Sequence, residues 1–168
     1  MTDLPVYLLD ANVFMQAARQ YYAFDIAPLF WQALLTQAAS GRVRSIDRVK
    51  DEIDKGKDDL KQWANGGFHR WFESTGQDDV VEAYREIMVW AYNQSQYTNS
   101  AKAEFARHDN ADSWLVAYAK ARECVVVTHE QFDANVKRRI PVPNVCRAFD
   151  IRYDDTFQML RALGVRLG

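Results

Sequence analysis

Two runs, "VYLLD" at 6–10 and "CVVVT" at 124–128, constrain this chain more than anything else in it. Each is too short for a helix and lacks the polar alternation of a half-exposed strand. Each therefore reads as a strand buried on both faces. Between them the apolar residues recur at helical spacing. One helical pattern covers 12–20, and a second covers 27–40, opened by Pro28 at a first turn and stopped by Gly41. "RVRSID", 42–47, is a short basic strand, after which Asp47 is placed to cap "RVKDEIDKG", a helix that Gly56 ends. Residues 57–79 mix charges, a Gly-Gly break and large aromatics, and suggest short helices. Over 80–93, Val81, Tyr84, Ile87, Met88 and Ala91 share one helical face, as do Trp114, Leu115, Tyr118 and Ala119 over 111–122. "VPNVCRAF", 142–149, is expected to be a short strand, and "DDTFQMLRALG", 154–164, a capped helix with a glycine stop. Buried strands separated by helices need crossover connections. The expected class is α/β, a three-layer α/β/α sandwich around a mostly parallel sheet of four to five strands.

A length of 168 residues with 48% hydrophobic and 13% aromatic content suits one globular domain with a substantial core. No apolar run approaches the roughly 20 residues of a membrane span. The N-terminus shows no basic stretch followed by an apolar segment and cleavage site, so a soluble, cytoplasmic protein is expected. Cys124 and Cys146 form no CxxC and read as reduced core thiols. The net charge of −2 gives no sign of a polyanionic partner.

An aspartate at the end of a fully buried strand is poorly explained by packing. In open parallel sheets ligands bind beyond the carboxyl ends of the strands, and Asp10 directly follows the first such run, while Glu130 stands just past the end of "CVVVT". Glu52 falls in the helix after the second strand, with Val49 and Ile53 turned inward, and Asp112 opens the helix over 111–122. Singly these acids have ordinary explanations as a cap, a surface acid, a helix-end acid and a loop acid. Together they are placed to converge on one cleft, where unpaired carboxylates repel unless cations bridge them. Oxygen-only ligands select Mg²⁺ or Mn²⁺, with phosphate oxygens of a substrate completing the shell.

"LLDANVF", "RVKDEI", "HDNADSWLVAYA" and "VVVTHEQF", in this order and spacing, resemble the PIN domain (PilT N-terminus) across nearly the whole chain. PIN domains carry an aspartate after the first strand, a glutamate in the helix after the second, an aspartate opening a later helix, and a "T.D..F" after the fourth strand. The resemblance places Asp10, Glu52, Asp112 and Glu130 in the catalytic, metal-binding quartet, Glu130 standing where the family usually has aspartate. Asn12 and Thr128 match the small polar positions that support it. Asp109, one helical turn before Asp112, is an alternative or additional ligand, and His108 a contact for substrate phosphate. With its long middle helices, an insertion at about 57–107 of a single domain over 1–168, the chain is most similar to a PIN-like bacterial subfamily long catalogued as a domain of unknown function. Related VapC-type toxins are endoribonucleases neutralised by a partner antitoxin. The resemblance thus implies Mg²⁺- or Mn²⁺-dependent hydrolysis of RNA phosphodiester bonds leaving a 5′-phosphate, an antitoxin encoded nearby, compatibility with a homodimer, and no membrane partner.

The charge objection weakens once the four proposed ligands are set aside, because 23 acids less 4 leaves 19 against 21 Lys and Arg, or +2 outside the site. Basic candidates are Arg42, Arg44, Arg48 and Lys50, and then Lys137, Arg138 and Arg139, which follow Glu130 closely enough to border the cleft and contact an RNA backbone. His129, beside Glu130, is a further substrate contact. Trp63, Phe68, Trp71 and Phe72 could stack on unpaired bases, but large aromatics more often bury. His69, His108 and His129 show no zinc spacing.

Three other functions compete. A haloacid dehalogenase-like phosphatase also has an aspartate after strand one but needs a second two residues on, where this chain has Asn12. A noncatalytic PIN-like module would bind RNA or protein. A DNA structure-specific nuclease would show helical-arch and helix-hairpin-helix signals that are absent here.

Overall fold

The computed structural model describes residues 4–168, so the part of the N-terminal leader argument that concerns residues 1–3 lies outside it. Five short strands build the sheet: β1 Tyr7–Leu9, β2 Val43–Ile46, β3 Phe72–Glu73, β4 Val125–Val127 and β5 Tyr153–Asp154. They lie in the order β3-β2-β1-β4-β5 and every pairing is parallel. Helices flank them: α1 Ala11–Gln16, continued by a π-helical turn Ala17–Tyr21, α2 Pro28–Ala39, α3 Asp47–Asp54, α4 Asp59–Asn65, α5 Asp78–Asn93, α6 Asn99–Phe105, α7 Ala111–Arg122, α8 Val142–Ala148 and α9 Thr156–Ala162. The α/β class and the parallel sheet are as expected, with the larger of the two strand counts.

β1 is central, and this explains its composition. Tyr7 pairs with Val43 on one side and Val125 on the other, Leu9 with Val127, and all three β1 side chains are buried. Covered on both faces and both edges, such a strand has no use for polar alternation. Each fully buried side chain of this size contributes about 1.5–3 kcal/mol relative to exposure. α2 stops where Gly41 turns left-handed at φ 80°, with open space where a Cβ would stand, so the glycine is required by backbone conformation and not by crowding.

Three local expectations are corrected. Residues 142–149 form α8 and not a strand: Pro143 in the first helical turn has no N–H to give a sheet ladder, and Pro141 presets the entry to the helix. The fifth strand comes later, at Tyr153–Asp154. β3 lies inside the stretch expected to hold only short helices; two residues, Phe72 and Glu73, pair with Ser45 and Ile46. Ile46, not Asp47, is the N-cap of α3, and Asp47 instead accepts from Arg48 N at 2.8 Å and from the Thr75 amide and hydroxyl at 3.1 and 2.9 Å. Both cysteines are free and buried. Trp63 stacks on Phe68 at 5.0 Å, and Phe68 meets Phe14 and Phe72, so this aromatic group is core. Among the described residues no helix is long and apolar enough to cross a membrane.

Candidate functional site

The strand order reverses at the centre of the sheet. From β1 the chain proceeds through β2 to β3 on one side, and it returns to β4, on the other side of β1, before continuing to β5. A crevice forms beyond the carboxyl ends of strands at such a switch point. Asp10 is the first residue after β1 and Thr128 the first after β4, and the Asp10 N–H donates to the Val127 carbonyl at 3.1 Å, tying the two strand ends together.

The Asp10 side chain has two roles. It caps α1 by accepting from Val13 N at 2.9 Å, as a turn aspartate would, yet its carboxyl also lies beside the Thr128 hydroxyl and within the field of Glu130 and Glu52. Burial is the main cause that pushes it up to about 7; the Thr128 hydroxyl and Val13 N oppose the rise and the neighbouring acids add to it. Asp112 is pushed up to about 8, first by burial and then by the charges of Glu130, Asp10 and Glu52, with Arg139 pulling the other way. Its helix does not need it as a cap, because Asn110 accepts from Ser113 N at 3.2 Å. The Asp112 carboxylate is therefore left to face the cleft. Glu52, half-buried on α3, is raised by burial and by Asp109, with Lys55 opposing. Thus Asp10 and Asp112 both feel the charges of Glu52 and Glu130. Glu52 and Asp112 also share a cavity of about 240 Å³ with Lys55, Glu104, Arg107 and Asp109.

The other expected site residues sort differently. Glu130 is held away from a free ligand's role: one carboxylate oxygen accepts from Val142 N at 2.8 Å, at the start of α8, and the other meets Arg139 at 3.2 Å. The Thr128 hydroxyl, buried beside Asp10, accepts from Glu130 N at 3.1 Å. Asn12 is exposed on α1. Asp109 borders the small cavity but pairs with Arg107 at 2.9 Å. His108 is exposed and contributes its carbonyl to Arg48. His129 is tied to the Thr156 hydroxyl at 3.0 Å, and its burial holds the imidazole below its ordinary value. Lys137 and Arg138 are exposed on the loop before α8.

The sequence did not disclose the brace that holds Glu52 and Asp112 to one cleft. Arg48, one turn before Glu52, donates to Thr75 at 3.1 Å and to the His108 carbonyl, and lies 4.2 Å over the Trp114 ring of α7. Only the pairing of a basic residue with a helical glutamate hinted at it.

As they stand, no three His, Cys, Asp or Glu side chains among the described residues are close enough together to enclose an ion. The donor chemistry nevertheless suits a hard divalent cation: Asp10, Asp112 and Glu52 are oxygen donors whose mutual repulsion a cation would relieve. Mg²⁺ needs only one or two carboxylates, keeping water and substrate phosphate for its other positions.

A family model described as Domain of unknown function (DUF4411) matches residues 7–167. The chain belongs to that family. No curated protein matches it. Among solved structures, a chain of the crystal structure of VapBC2 from Rickettsia felis bound to a DNA fragment from their promoter aligns with this DUF4411 chain at a TM-score of 0.54 and 13% identity, covering 89% of this chain and 98% of that one. The likeness is one of fold, and the DUF4411 chain has a PIN-like fold.

Proposed function

We propose that this chain is a metal-dependent endoribonuclease, the toxin of a toxin–antitoxin pair. The observation that carries the proposal is the pair Asp10 and Asp112, one carboxylate buried and the other half-buried at the topological switch point, which no lysine or arginine neutralises by direct contact. Burying uncompensated like charges costs stability, and such arrangements mark functional sites. Asp10, Asp112 and Glu52 would hold Mg²⁺ or Mn²⁺, which when bound lowers the pKa of water and offsets charge on a phosphodiester. Thr128 lies beside the Asp10 carboxyl, and Asn110 leaves Asp112 free of capping. Arg48 joins the helix bearing Glu52 to the loop before Asp112. Glu130 fastens the loop after β4 to α8 and, with Arg139, sets one wall of the cleft. The VapBC2 complex as a neighbour in fold supports an antitoxin partner.

The test incubates the purified chain with total RNA in Mn²⁺, Mg²⁺ or EDTA and maps fragment ends. Metal-dependent fragments with 5′-phosphates are expected, and intact RNA under all three conditions would remove the hydrolytic proposal. The engagement of Glu130 by Val142 and Arg139 favours one second reading, a noncatalytic RNA-binding module. It would show RNA binding without fragments.

A further inference from the structure

Beside the carboxylate cleft, a cavity of about 490 Å³ opens at the carboxyl ends of β4 and β5, between the loop after β4 and the start of α9. Its size falls within the range of about 300–1,000 Å³ typical of small-ligand sites. No aliphatic side chain lines it. Rings line it, from His129, Phe132, Tyr153 and Phe157, together with Arg147 and the amides of Gln131 and Gln158. The carboxyl-bearing Glu130, Asp154 and Asp155 line it as well; they disfavour a phosphate here and leave this cavity to a base. Tyr21 stands at the mouth, its ring 6.1 Å from His129 and 6.4 Å from Phe157, edge-on to the latter at 76°.

These rings stay in solvent: Tyr21 is 53% exposed, Phe157 43% and Phe132 36%. The next residue shows that burial was available, since Tyr22 turns inward and stacks on Phe30 at 4.3 Å. Tyr21 ends the π-helical turn that continues α1, a rare conformation frequent at functional sites, and from there its ring reaches Phe157 of α9. The cavity borders the carboxylates, because Thr128, the first residue after β4, and Glu130, whose charge raises both aspartates, line it.

We propose that this cavity receives one unpaired RNA base, stacked against Tyr21 and Phe157 and hydrogen-bonded along its edge, next to the phosphate at the carboxylates. The proposal rests on the ribonuclease reading for its substrate class. A base needs two things that the lining supplies, an aromatic face and donors and acceptors for its rim. A protein partner would bury the same rings, and a strand-specific quench separates the two. Paired bases have no free face to offer, so the pocket selects single strands.

The test uses the Asp10→Asn chain, to prevent turnover, and a single-stranded RNA octanucleotide carrying one 2-aminopurine, alone or annealed to its complement. Binding of the single strand should quench the fluorescence. Tyr21→Ser with Phe157→Ser should weaken binding about 5- to 150-fold and abolish the quench, in line with the loss of one or two base–ring stacks. Tyr21→Phe should retain both, and all variants should melt like the parent because the rings are exposed. A double variant that binds and quenches like the parent overturns the proposal, as does equal binding of the duplex. Unchanged RNA binding with a shift from dimer to monomer would assign the rings to a second copy of this chain, also overturning it. Wild-type cleavage in Mn²⁺ is scored separately. Cleavage with an unaffected double variant removes the pocket alone, whereas quench without cleavage removes the hydrolytic reading alone.

Discussion

Asp10 and Asp112 can be set against Asp54, Asp79 and Asp109. The second group lies at the surface, each with a cationic partner: Lys50 at 2.7 Å, Arg122 at 2.6 Å and Arg107 at 2.9 Å. Those partners hold the three carboxyls below the ordinary value, whereas burial lifts the first pair to about 7 and about 8. The chain thus pairs these three acids with cations and leaves unpaired the buried Asp10 and the half-buried Asp112. Stability alone would favour the opposite allocation; on the ribonuclease proposal the unpaired acids serve to hold an ion.

The largest effect that would sharpen this contrast is on cleavage. Asp10→Asn or Asp112→Asn should lower metal-dependent RNA cleavage by more than about 100-fold, beyond the range for residues that merely orient a metal's ligands. Folding should survive in Asp10→Asn, because asparagine caps a helix as well as aspartate does. Circular dichroism and initial rates on one preparation check both. An unfolded Asp10→Asn chain whose folded fraction keeps full specific activity would make Asp10 a cap and nothing more.

A smaller effect concerns pH. Both aspartates have folded values raised above 3.8, so their contribution to stability is fully present below about pH 4 and is lost as pH rises through about 7 and 8. The metal-free protein should therefore melt at a lower temperature at pH 9 than at pH 5, and each Asn variant should reduce that difference. A melting curve without this slope would show that burial does not disfavour the charged form of either carboxyl.

Smaller again is stabilisation by the ion. Mn²⁺ at 100 times its Kd should stabilise the wild type by about 2.7 kcal/mol, seen as a rise in melting temperature, with a lesser rise in Asp10→Asn. Equal rises would place the ion elsewhere. Asp79→Asn should change almost nothing, since an exposed pair with Arg122 is screened by water and salt. Loss of cleavage in that variant would erase the distinction between the two groups of acids.

The sequence showed the architecture where one physical cause acts alone. β1 and β4 are buried on both faces, so their composition has one interpretation, and α7, marked by apolar spacing and a basic last turn, spans the expected residues. Residues 142–149 misled because "VPNVC" is apolar and short, and the information lay in the missing N–H of Pro143. β3 was illegible, since two residues make a strand only when a neighbour's edge is already in place. Of the site, Asp10 and Asp112 could be found from position along the chain. The ties of Glu130 to Val142 and Arg139, and of Arg48 to the His108 carbonyl, could not, because these partners lie 12, 9 and 60 residues away and no periodicity encodes them.

The central position of β1 also sets a timetable. Leu8 pairs with Val126, 118 residues further on, so during synthesis at about 5–20 residues per second β1 waits roughly 6–24 s with only β2 available and its other edge open. Asp10 meets neither Asp112 nor Thr128 before that segment has left the exit tunnel. On the ribonuclease proposal, a chain still being translated carries no finished cleft, and the message that encodes it is safe from its own product until the segment carrying Thr128 has emerged.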